Sequence, residues 1–182
     1  MASQNGLQHF MFVKIEGDNI PEKIAKGNNK IKGYEDQIQI DNCVFEEANC
    51  TFENGQQYLS SSDNCHTIRF VGTSSKLGGS IDASFSNAFK QLSSPSLKKT
   101  TITLNYAQSI NDQVETIKSI ELTDVDITSI DSGMGGEALS SFNVVAKGLG
   151  GHITVTPYDE EGKAGSAETY HLTDLSTQVK GK

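Results

Sequence analysis

The chain has no tryptophan, one arginine, three prolines and three cysteines in 182 residues. Each shortage narrows what it can be. Arginine carries the planar fork that grips phosphate and reads guanine. Arg69 stands alone beside scattered lysines in a chain of net charge −8, so nucleic acid is not expected as a partner. Without tryptophan the chain lacks the ring faces on which sugar sites are often built. No apolar run approaches the roughly 20 residues that a spanning helix needs, so no membrane insertion is expected. The start, Met1-Ala-Ser-Gln-Asn-Gly6, lacks a basic segment followed by an apolar one. No Sec-type signal is therefore expected, and folding in the cytoplasm is.

Chemistry-bearing patterns are sparse as well. Cys43, Cys50 and Cys65 are odd in number and form no C-x-x-C pair, and only Cys65 and His66 are adjacent. They read as reduced, half-buried thiols, with a Cys43–Cys50 disulfide as the alternative. His9, His66, His152 and His171 lie far apart, and neither H-E-x-x-H, nor G-x-S-x-G, nor a P-loop occurs. Asp124, Asp126 and Asp131 with Asp159, Glu160 and Glu161 lack the ordering of a calcium loop and read as acidic surface. No catalytic residue, metal or cofactor is predicted.

What is present is β-strand pattern. At 182 residues the chain is most simply one domain over 1–182, with residues 1–9 flexible. Phe10 to Glu16 reads as a first strand stopped by Gly17. Tyr34 to Phe45 alternates, with Ile38, Ile40 and Val44 on one side. Residues 46–64 are polar and aperiodic with a turn at Asn54-Gly55, which predicts an extended loop and an interaction arm. His66 to Val71 is a short strand. Over 81–92 the apolar spacing suits helix and strand about equally, while Ser94-Pro95 suits the start of a short helix at 95–99. Thr100 to Tyr106 reads as a strand with Ile102, Leu104 and Tyr106 inward, and Asn111-Asp112 turns the chain back.

The stretch that organises the rest runs from Ile117 to Asp159. Ile120 and Leu122 share one face, and Val125 and Ile127 share a face of the opposite parity. The slip at Thr123-Asp124 is what one extra residue does to a strand: it bends the chain and restarts the alternation. Ser132-Gly-Met-Gly-Gly136 follows as a glycine turn built on Gly133, Gly135 and Gly136. An anion nest is its other reading, but the loop joins two strands and opens no helix. Leu139 to Lys147 is extended, Gly148 to Gly151 interrupts, and Ile153 to Tyr158 resumes. Glu168 to Val179 gives a last strand. Eight to ten strands in so short a chain predict a mainly β fold, an antiparallel barrel with one short helix.

These residues also resemble a family. Phe12-Val-Lys14-Ile-Glu-Gly17 followed by Ile20-Pro21 resembles the opening of the Hcp family, the haemolysin-coregulated tube proteins of bacterial type VI secretion. Asp36 to Ile40 is similar to that family's second strand, and Phe85 with Ser93-Ser-Pro95-Ser-Leu97 to its strand-to-helix junction. Ile120-Glu-Leu122-Thr-Asp-Val125-Asp-Ile-Thr-Ser-Ile130 and the glycines after it resemble the long strand and turn. Lys147 and Ile153-Thr-Val-Thr-Pro157-Tyr158-Asp159, with Gly162-Lys163 and Gly165, resemble the closing hairpin. The region 46–79 is longer than the family pattern, Gly148 to His152 looks inserted, and the helix after Pro95 is cut short or lost. The family register makes 81–92 a strand.

The resemblance implies a homohexameric ring whose rings stack into a tube inside a contractile sheath. The tube is propelled with a spike protein, and its lumen can hold effector proteins. Export would then run through that apparatus without a Sec signal, and function would live in exposed edges and faces. The rival readings are a monomeric β-barrel binding a sugar or other small ligand, a tail-tube subunit of another contractile machine, and a small hydrolase.

Overall fold

The computed structural model describes residues 8–17, 29–48, 50–53, 56–59, 65–73, 100–134 and 140–175. They form twelve strands: β1 (His9–Glu16), β2 (Ile38–Ile40), β3 (Asn42–Glu46), β4 (Cys50–Glu53), β5 (Gln56–Leu59), β6 (His66–Thr73), β7 (Thr101–Ile110), β8 (Gln113–Thr123), β9 (Asp126–Met134), β10 (Ser140–Gly148), β11 (Gly150–Val155) and β12 (Glu168–His171). No helix occurs among the described residues. The expected strand at 81–92, the short helix at 95–99 with Pro95, and Gly135 and Gly136 lie outside them.

Every pairing is antiparallel. One sheet has the order β12-β11-β8-β7-β1-β2 and the other β3-β6-β10-β9, while β4 and β5 pair with each other. The two large sheets enclose one core. Val13, Ile38, Leu104, Ile120 and Leu122 come to it from the first sheet, and Ile68, Phe70, Val144 and Ala146 from the second. The result is an antiparallel β-barrel flattened into two sheets.

Within the described residues the chain passes from sheet to sheet at three corners, and the alternation changes phase at the first two. At Asp124, which takes a left-handed φ of 50°, β8 of the six-stranded sheet gives way to β9 of the other. The expected single bent strand is therefore two strands in two sheets. Ile120, Leu122, Val125 and Ile127 are all buried because the extra residue lets both parities face one core. The second corner is at Asp41, between β2 and β3, where the N–H of Asp41 donates to the carbonyl of Val71. It corrects the reading of Val44, which is 48% exposed while Cys43 and Phe45 pack on the core.

The third corner, at Leu149, carries β10 into β11 beside the Asp124 corner, and the Leu149 N–H bonds to the Thr123 carbonyl. Gly151 has φ 142°, and a Cβ there would lie 1.9 Å from the Glu121 carbonyl oxygen. Only glycine lets the two corners nest. The interruption at Gly148 to Gly151 is thus a crossing point.

Three further expectations shift. Gly133 lies in β9 paired with Ser141, and pairing continues to Met134, so any turn falls later, outside the described residues. The region 46–64 holds a β-hairpin where a loop was expected, with Glu53 paired to Gln56 on either side of Asn54-Gly55. The last strand stops at His171. Beyond it Leu172 and Leu175 turn into the core, held by their N–H bonds to the carbonyls of Gly151 and Leu149.

Candidate functional site

The barrel interior is filled by large side chains, among them Phe70, Ile38, Ile68 and Leu175 at 0% exposure. What the described residues offer to a partner lies outside: sheet faces, sheet edges and the hairpin.

The outer face of the six-stranded sheet is set by register. His171, His152, Glu121, Thr103 and Lys14 sit side by side across β12, β11, β8, β7 and β1. Thr169, Thr154, Ser119, Asn105 and Phe12 form the next row. The first row carries charge: His152 Nδ1 lies 3.6 Å from Glu121 Oε1, and Lys14 Nζ 2.8 Å from Glu16 Oε1. At the β1 end the face turns apolar. Phe12 stacks on Tyr34 at 4.4 Å between ring centres, and Ala107, Phe10, Ile31 and Val114 complete that patch. Tyr34 closes it by a hydroxyl hydrogen bond with Thr116. Phe12 is therefore buried on the opposite face from Val13 and Ile15, under the 31–37 turn.

Among the described residues the edges are β12 on the six-stranded sheet and β9 and β3 on the four-stranded one; β2, the other end of the first, leads into β3 at the Asp41 corner. All four residues of β12 are exposed, with Tyr170 at 56%. Such an edge offers unpaired N–H and C=O groups to another strand.

The β4–β5 hairpin leaves the barrel between β3 and β6, and its base is held by two side chains. Tyr170 donates its hydroxyl to Glu47 Oε1 at 3.0 Å. His66, at 0% exposure, accepts the Ala48 N–H on Nδ1 at 3.1 Å, so Nε2 carries the proton and donates to the Thr173 carbonyl at 2.8 Å. One buried imidazole thus ties the hairpin base to the carboxy-terminal segment. Sequence reading treats His66 only as a possible metal ligand. Its place at the first position of a strand after a polar stretch is the one signal that marks it.

Among the described residues no three His, Cys, Asp or Glu converge on a metal-sized point. Cys43 is a free thiol. Burial pushes the Cys43 thiol up to about 12, opposed by its hydrogen bond with Tyr106. Burial first, and then the neighbouring thiol, push the Tyr106 phenol up to about 12. A thiol held protonated is inert as a nucleophile. Surface cavities of about 580 Å³ and about 560 Å³ lie beside Asn111, Tyr158 and Gly162, and beside Tyr34 and Asn105.

The residues singled out from sequence are spread over the barrel. Lys14 is exposed on β1, Gly17 follows its last residue, Leu122 is fully buried, and Val125 lies at the Asp124 corner. Pro157 accepts the Gly165 N–H, and Tyr158 bridges to Ala164. They build the barrel and form no single site.

No protein-family model and no curated protein matches the chain. Solved structures match its fold. A type six secretion system protein is 16% identical, with 90% of this chain and 94% of that one covered and a TM-score of 0.62. Hcp1 from Salmonella typhimurium is 15% identical, with 93% and 96% covered and a TM-score of 0.59. Another Hcp protein is 15% identical, with 90% and 98% covered and a TM-score of 0.56. The chain has an Hcp-like fold.

Proposed function

We propose that this Hcp-like chain is a structural subunit of a type VI secretion tube. Six copies close a ring, rings stack into a tube, and the tube leaves the cell through the contractile apparatus without a Sec signal. The observation that carries this reading is the near full-length correspondence of both chains at a TM-score of 0.62. The β12 edge supports it, because an exposed edge strand suits pairing between subunits. A filled interior argues against a ligand-carrying barrel, and a protonated Cys43 thiol argues against thiol catalysis. The chain acts in this reading through shape and assembly, as a non-enzyme, with sheath, spike and effector proteins as its partners. Negative-stain electron microscopy of the purified protein tests it. Closed rings with sixfold averages are expected, and isolated barrels alone at tens of micromolar chain would contradict it.

A further inference from the structure

We propose that His152 and His171 form a surface site for a divalent transition-metal ion of the zinc class, which clips the edge strand β12 to β11. The two residues are direct partners on neighbouring antiparallel strands. The Leu172 N–H bonds to the Gly151 carbonyl next to them, which makes His152 and His171 the non-hydrogen-bonded kind of pair. Side chains approach each other more closely in such pairs. Their ring centres are 6.0 Å apart and tilted by 52°. Two imidazoles sharing a zinc ion at Zn–N distances of about 2.0–2.1 Å place their ring centres roughly 5–6 Å apart, so a small side-chain adjustment suffices.

Glu121 supplies the supporting contact. It faces His152 from β8, on the side away from β12, with Oε1 3.6 Å from Nδ1. At 3.6 Å this contact is longer than a hydrogen bond, but a small side-chain rotation lets the carboxylate accept from Nδ1–H, which leaves Nε2 as the metal ligand. The side chains of His152 and Glu121 are about one third exposed, at 34% and 33%, and His171 is exposed, so an ion can enter from solvent. The site has two protein ligands and leaves the other positions to water. Imidazole selects zinc, nickel or copper over magnesium and calcium, which take oxygen ligands. The consequence is local: β12 has four residues, and a shared ion would add to the Thr154–Thr169 hydroxyl contact of 3.2 Å in fastening it. The inference does not depend on the secretion reading, since it concerns the isolated barrel.

Zinc chloride titrated into the full chain by calorimetry, with melting followed in parallel, tests the site. The expected result is one zinc ion per chain, a melting temperature raised by zinc and untouched by magnesium, and affinity at least tenfold lower in both His152→Ala and His171→Ala. Glu121→Gln should weaken binding by about tenfold, as loss of an outer-shell partner does. His9→Ala serves as the control and should bind like the parent. No zinc bound to the parent at millimolar metal overturns the proposal. Undiminished affinity in the double His152→Ala/His171→Ala variant overturns it equally, because the ion would then sit on thiols or elsewhere.

Discussion

His66 shows how much one buried side chain can hold. Removing it in His66→Ala opens a cavity and leaves the Ala48 N–H and the Thr173 carbonyl without their partner. Cavity formation and unpaired polar groups together cost about 2–4 kcal/mol. His66→Phe restores the volume but neither hydrogen bond, so it should recover only part of that loss. Urea unfolding read by circular dichroism measures both, with the exposed His9→Ala as a control expected to stay within about 0.5 kcal/mol. A His66→Ala midpoint equal to the control's would show that the clasp contributes nothing. Cys43 and Tyr106 make a second residue-scale case. Their ordinary values are 9.0 and 10.0, and in the fold both stand at about 12. The unfolded chain therefore releases these protons first. The stability they contribute is complete below about pH 9 and is lost as pH rises towards about 12. Melting temperature followed from pH 8 to pH 11 should fall, and fall less steeply in Cys43→Ala. Equal slopes in parent and variant would contradict the assignment.

At the scale of elements, strand content was legible wherever a single sheet fixed which face is buried. β1, β7 and the two halves around Thr123-Asp124 follow the alternation of Val13 and Ile15, Ile102 and Leu104, and Ile120 and Leu122. The corners were harder. The slip at Thr123-Asp124 shows because strongly apolar residues flank it on both parities. The slip at Asp41 does not, since Val44 keeps the alternation going while the less conspicuous Cys43 and Phe45 turn inward. The β4–β5 hairpin was legible only as an excursion, because residues 46–64 are polar in sequence and show no sustained apolar alternation to mark a period. Its role in assembly is a prediction at this scale. Replacing residues 50–62 by a short Gly-Ser linker keeps Ala48 and its bond to His66. Changing loop length twofold alters closure by only about 0.6 kcal/mol, so the barrel should stay folded. Ring or stacked species should decline in sedimentation while the far-ultraviolet spectrum holds. An unchanged sedimentation profile would leave the hairpin without an assembly role.

For the whole molecule, the barrel follows from many strands, glycine-rich connections and a modest core in a chain of 182 residues. The division into six- and four-stranded sheets did not follow, because it rests on which strands neighbour one another across long separations, such as β1 with β7 and β8 with β11. The outer-face rows share that origin: His152 and His171 lie 19 positions apart in sequence and become partners only through pairing. The central claim belongs to this scale, since a tube subunit must first close a ring. Light scattering coupled to size exclusion, at micromolar chain and neutral pH, tests it most directly. The account predicts a particle of about six times the 19.6 kDa chain mass. A particle of one chain mass, unchanged across a hundredfold range of concentration, would contradict it.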